Sequence, residues 1–262
     1  MNKNLNLKAQ TTQTCLAVGA ELSAAAMRCG YDGFEQSSFT QPNSTQMQLG
    51  AEIKIQESLR GLEKLIYLSS TIIQSMVKEH KVEITTIPIY LCLQELNRPS
   101  YFSFEELQEK LFANLITALD VPNISNSSRA YLEGRCGFTT ALKQAQIDIY
   151  ENGDKEVLIV SVDSLLNSAS LAYYGGGLYG EGCRLLTDNN SNGFIPGEAA
   201  SAVLLSKPTS EENEIVISGV GMSKEIATIY NEDELLRAKG LSEAIMEASN
   251  QAELPIHETA FD

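Results

Sequence analysis

The stretch that most constrains this chain is 157–162, Val-Leu-Ile-Val-Ser-Val, six residues without a charge and without polar alternation. A strand with one wet face alternates apolar and polar residues, so an uninterrupted run reads as a strand covered on both faces. Such a strand needs a layer on each side. The segment ahead of it supplies one: the spacing over 137–150 predicts a helix with Phe138, Leu142, Ala145 and Ile149 on one stripe. Asn152-Gly153-Asp154 is turn chemistry, and it feeds that helix directly into the buried strand.

The same order of elements extends in both directions. Residues 11–18 read as a strand running into Gly19, followed by a short helix over 21–27 closed by Gly30. Residues 31–56 are rich in Gly, Ser, Gln and Asn with weak periodicity, and read as a long loop. Apolar residues from Leu59 to Val77 recur at helical spacing, and 82–93 is a β-branched run whose Pro88 belongs at a strand edge or start. Ser103 and Glu106 form a capping box for a helix carrying Leu107, Leu111, Leu115 and Leu119. A short strand is expected at 129–133, two more at 199–206 and 215–220, a last helix over 234–252, and the start of a strand at 259–261. Strands alternating with helices predict an α/β fold with a largely parallel sheet. Pro208 and the charge cluster near it place a division between 1–208 and 209–262.

A chain of 262 residues buries enough surface to need no staples. Nineteen basic residues against 34 acidic ones leave a net charge of −15, a field that repels phosphates and anionic lipid. Nucleic-acid and membrane-surface partners are therefore not expected. The acidic excess at 211–214 and 231–234 reads as a solvated surface. No apolar run approaches the roughly 18 residues of a membrane span, and the N-terminus lacks the pattern of an export signal. Cys15, Cys29, Cys92, Cys136 and Cys183 are odd in number and lack CxxC spacing, so reduced thiols in a cytoplasmic protein are expected. No metal site and no cofactor are called for.

Cys136 is the first candidate for chemistry, because it stands where a strand feeds a helix. A thiol there feels the positive end of the helix dipole, and Arg135 acts in the same direction. The alternative is a small inert hydrophobe. Helical phase adds a second possibility: three residues before Phe138 stands Arg135, which this reckoning aims along the buried face. The glycine-rich run from Tyr173 to Gly180 lacks Gly-Lys-Ser/Thr and reads as a flexible or substrate-side loop, or as a protein contact through its tyrosines. Glu198 and Asp163 read as structural carboxylates, at a tight turn and at a turn or cap respectively. His80 reads as a solvated residue at a helix end.

Three segments together carry a resemblance. The run 134–145 (Gly-Arg-Cys-Gly-Phe-Thr-Thr-Ala-Leu-Lys-Gln-Ala), the strand 157–163, and 192–200 (Asn-Gly-Phe-Ile-Pro-Gly-Glu-Ala-Ala) resemble β-ketoacyl synthases of the thiolase superfamily. The likeness covers about residues 125–255, and 215–222 is similar to the strand that opens the second half of that fold. It implies a thiolase-like layered fold with a complete first half and only the start of the second. It also implies a nucleophilic cysteine opening a buried helix after the third strand, and two histidines from the second half. Matching through Gly153 puts the nucleophile at Cys136. Matching through Ala141 and Ala145 puts Arg135 there, which is the preferred register and leaves the nucleophile lost. Phe138, Gly193, Phe194 and Gly197 are the substrate-side residues that the resemblance implies. His257 matches neither family histidine. The resemblance thus implies a catalytically degenerate binding or accessory module, of the kind associated with type VI secretion effectors. A condensing enzyme or acyl-thioester transferase using Cys136 is the alternative. Implied partners are a second copy or another protein, with acyl carrier protein or acyl-CoA as the ligand side.

Overall fold

The computed structural model describes residues 3–55, 59–99, 103–176, 182–209, 214–228, 231 and 233–256, with backbone alone at 104, 106, 108 and 109. His257, the strand expected at 259–261, Gly177, Tyr179, Gly180, Glu211, Glu212, Glu232 and the Glu106 side chain lie outside the described residues.

The buried run is where the sheet is built. Strand β6 (Glu156–Ser164) sits inside a six-stranded sheet of order β5-β4-β6-β7-β1-β8. The other strands are β1 (Leu5–Gln13), β4 (Ile89–Cys92), β5 (Arg129–Tyr131), β7 (Glu198–Ser206) and β8 (Val216–Ile217). β4 pairs parallel with both β5 and β6, while β7 runs antiparallel to β6 and β1. Because side chains alternate across a strand, β6 sends Leu158, Val160 and Val162 to one face and Val157 and Ile159 to the other. The first face is covered by α2 (Gly61–His80) and α3 (Phe104–Leu119), through Leu68, Ile72, Ile73, Met76, Leu107, Leu111 and Leu115. The second is covered by α4 (Gly137–Ile147), through Ala141, Leu142 and Ala145. The layered α/β arrangement is as expected, but the sheet is not largely parallel: β7 enters between β6 and β1 in the opposite sense, so three of the five strand pairings, β6–β7, β7–β1 and β1–β8, are antiparallel. α6 (Lys239–Ala252) docks on α4 and on the segment after β8: Lys143 pairs with Glu247 at 2.7 Å, and Gln251 accepts from Val220 N–H at 2.7 Å.

Several expectations are corrected. Residues 31–56 are not a plain loop: β2 (Glu35–Thr40) and β3 (Met47–Gly50) form an antiparallel hairpin. Its polar residues conceal it, and its anchors are distant, with Gln48 fully buried and donating to the Leu186 carbonyl at 3.0 Å. The first strand is 5–13 rather than 11–18, and α1 (Ala20–Arg28) follows it. The strand expected over 82–93 is confined to β4, with Pro88 immediately before it. The strand expected at 215–220 shrinks to the two residues of β8, and α6 begins at Lys239 rather than 234. A helix went unread at α5 (Ser168–Tyr174), capped by Asn167 accepting from Ser170 N–H at 2.9 Å.

Candidate functional site

The carboxyl ends of β4, β5 and β6 share one rim of the sheet. From β4 the chain leaves toward β5, and from β6 it leaves toward β7, which lies on the other side. Where neighbouring strands send their connections apart, a crevice opens at their carboxyl ends, and ligands of open α/β sheets bind there. Residues 93–98, 132–136, α5 and the Phe194 loop surround this rim.

The turn that carries Cys136 is built by backbone hydrogen bonds across the two strand ends. Leu93 N–H reaches Tyr131 O at 2.9 Å, Gly134 N–H reaches Leu93 O at 3.1 Å, and Leu96 N–H reaches Leu132 O at 3.2 Å. Gly134 has φ +56°, a left-handed conformation that strains an L side chain, and a Cβ there would stand 2.6 Å from Glu95 Oε2 and displace that carboxylate. Gly134–Cys136 form a 3-10 turn that passes into α4 at Gly137. Both Arg135 and Cys136 are exposed. The phase argument that aimed Arg135 along the buried face is thus not met: it extrapolates an α-helical period through a tighter turn entered from a left-handed glycine. The residue that faces inward is Gly137, backed against Cys92. Burial pushes the Cys92 thiol up to about 12. Phe138 is half-buried and packs in the α4 core with Tyr131. Beside Cys136, the Thr140 hydroxyl donates to the Glu133 carboxylate, and Cys136 N–H reaches the Glu133 carbonyl at 3.2 Å.

The second group of expected residues lies on the loop before β7. A Cβ on Gly193 would fall 2.1 Å from the Leu185 carbonyl, because the Phe194 backbone exchanges bonds with Arg184 and Leu186 across this point. Gly197 backs on Ala51, at the base of the hairpin. The Phe194 ring meets Tyr174 edge-on at 5.1 Å, and the Arg184 guanidinium lies 5.4 Å over Tyr174. Tyr174 donates its hydroxyl to Glu95 Oε1 at 3.3 Å. Burial raises the Tyr174 pKa, and the Glu95 carboxylate adds to it. Phe194 and the Cys136 turn, 58 residues apart in sequence numbering, are therefore joined through Tyr174 and Glu95.

Two ion pairs that sequence reading did not find hold this rim. Arg98, almost fully buried, clamps Asp163 with both terminal nitrogens, one at 2.9 Å. Burial opposes the arginine's charge, and Asp163 outweighs it, leaving the Arg98 pKa above its ordinary value. Lys64 and Glu198 pair at 2.8 Å with both side chains 2% exposed. Glu198 also accepts from Ile53 N–H and from the Ser164 hydroxyl, each at 2.8 Å, and Lys64 donates to Ile53 O at 3.1 Å. Glu198 and Asp163 thus stand at strand ends, in β7 and β6, each in an ion pair rather than at the turn or cap expected. Their cationic partners carry no local sequence signal, since each lies far away in the chain.

No family model matches the sequence, and no curated protein matches it. Solved structures do. A β-ketoacyl synthase from Burkholderia phymatum STM815 superposes with a TM-score of 0.66 at 13% identity, over 100% of this chain and 73% of that one. Ketosynthase twelve of the bacillaene polyketide synthase of Bacillus amyloliquefaciens gives 0.61 at 12% identity, over 96% and 50%. A type II polyketide synthase ketosynthase, in complex with its acyl-carrier protein, gives 0.65 at 10% identity, over 98% and 72%. The chain thus has the thiolase-like fold of the β-ketoacyl synthases. It spans between half and three quarters of the length of those chains, and at such identities the likeness establishes the fold alone.

Proposed function

We propose that this chain is a ketosynthase-like accessory module that binds an acyl thioester or its carrier protein without itself forming carbon–carbon bonds. The observation that carries the reading is the setting of Cys136. Cys136 follows Arg135 in the turn, its N–H donates to the Glu133 carbonyl and its carbonyl accepts from the Thr140 hydroxyl. Condensation needs oxyanion stabilisation and proton handling next to the thiol. The sequence has two imidazoles, and the described one, His80, is exposed at the end of α2, in the layer across the sheet from α4. The ketosynthase crystallised with its acyl-carrier protein supports a carrier as partner, and a second copy is the other candidate. The resemblance suggests an adaptor beside type VI secretion effectors. We read 1–208 as the first half of the fold and 209–262 as the opening of the second.

A second reading is favoured by the exposure of Cys136 at the N-terminus of α4, after β5, which is the third strand of the six-stranded sheet in chain order. There the thiolate would attack a thioester carbonyl, and the carrier's sulfur would leave with the proton that Cys136 gave up. Intact-mass measurement after incubation with acyl-CoA or acyl carrier protein separates the two. The accessory reading predicts no covalent adduct. A saturable adduct absent from Cys136→Ala establishes the second.

A further inference from the structure

Glu95 is placed unlike any other residue of the rim. Its backbone belongs to the loop that extends β4, where its carbonyl accepts from Arg98 N–H at 3.1 Å. One carboxylate oxygen, Oε2, occupies the space a side chain on Gly134 would need, and the other accepts from Tyr174. Tyr174 in turn ends α5 and carries the Phe194 ring on its edge. One side chain therefore touches both the turn that presents Cys136 and the aromatic pair of the loop before β7.

We propose that Glu95 is a positioning residue that sets the Gly134–Cys136 turn, and that Tyr174 couples this turn to the Phe194 loop. The argument is geometric. Backbone hydrogen bonds close the turn, but Gly134 occupies a left-handed conformation with no side chain of its own to narrow it, and a stop from outside does that. The Glu95 carboxylate is that stop, and it accepts from the Tyr174 hydroxyl at 3.3 Å. A disturbance at Phe194 moves Tyr174, and through Glu95 it reaches the thiol. This goes beyond the accessory reading and does not depend on it, because it concerns where the thiol is held and not what acylates it.

The test is the rate at which N-ethylmaleimide, a neutral reagent, modifies each cysteine of the full chain, read by peptide mass. Glu95→Ala and Tyr174→Phe are expected to raise the Cys136 rate at least threefold. Glu95→Gln, which keeps the shape and the acceptor oxygen, is expected to stay within twofold of the parent. Cys29, exposed at the end of α1, and buried Cys92 should not change in any variant. Three results overturn the proposal: a parental Cys136 rate in both Glu95→Ala and Tyr174→Phe, a Glu95→Gln rate as high as that of Glu95→Ala, or Cys92 becoming reactive in parallel with Cys136.

Discussion

The Lys64–Glu198 pair offers the sharpest test of how the rim is held. Both side chains are 2% exposed, and the three further bonds to Ile53 and Ser164 tie the hairpin's exit to the ends of β6 and β7. Removing one member of a buried pair strands the other charge, at a cost of about 3–5 kcal/mol. Glu198→Gln leaves the buried Lys64 ammonium with neutral acceptors, the amide oxygen and the Ile53 carbonyl, but no counter-charge, so it belongs at the upper end of that range. Lys64→Met leaves a carboxylate that still accepts from two donors, so it belongs at the lower end. The combined Lys64→Met/Glu198→Gln variant has no stranded charge, and its amide can still accept from Ile53 and bond Ser164. Its cost should fall to about 2 kcal/mol or less. In urea unfolding followed by circular dichroism at 222 nm, with a slope of about 3 kcal/mol per M, each single variant loses about 1–1.7 M in midpoint. The double variant recovers most of that loss. Single losses below about 1 kcal/mol, or a double-variant loss equal to the sum of the singles, would refute the reasoning.

Other consequences follow from the same geometry. The Tyr131 hydroxyl is buried without a described partner, and burial pushes its pKa to about 12. The fold then holds this proton more tightly than the unfolded chain does, so its contribution is full below pH ~10 and is lost as pH rises toward 12. Tyr131→Phe should cost little at neutral pH and should flatten the alkaline loss of stability, measured by urea midpoints from pH 9 to 11. An unchanged alkaline slope counts against it. Gly193→Ala forces a methyl into the Leu185 backbone and should lower Tm by about 6 °C or more, for a cost of about 3 kcal/mol; a parental Tm would show that the loop can yield. Arg98→Met leaves Asp163, which is 43% exposed, able to turn to water. That variant should therefore lose less stability than Lys64→Met in the same urea assay, and the reverse order would contradict the burial argument.

How much of this was legible in the sequence depended on whether a segment's stability is local. β6 and β7 were read nearly to their ends because apolar content marks a doubly covered strand. α2, α3 and α4 declared themselves through helical spacing. β1 hid behind Asn6, Lys8 and Gln10, and a bulge between Leu7 and Ala9 breaks the alternation that would have revealed it. The β2–β3 hairpin and α5 were missed because long-range bonds, from Gln48 to Leu186 and from Pro42 packed on Gly175, hold polar sequence in place. At the site, Cys136, Phe194 and Gly197 were read from the motif segments. Glu95, Arg98, Lys64 and Tyr174 were not, since each is defined by a partner at least 65 residues away. Arg135 shows the limit of periodicity at a helix start.

The account turns on whether a β-ketoacyl product forms. The purified chain, supplied with an acyl thioester and a malonyl thioester on a carrier protein, can be followed by mass spectrometry for the condensed product. The accessory reading predicts none above the protein-free control. Turnover that disappears in Cys136→Ala would contradict it.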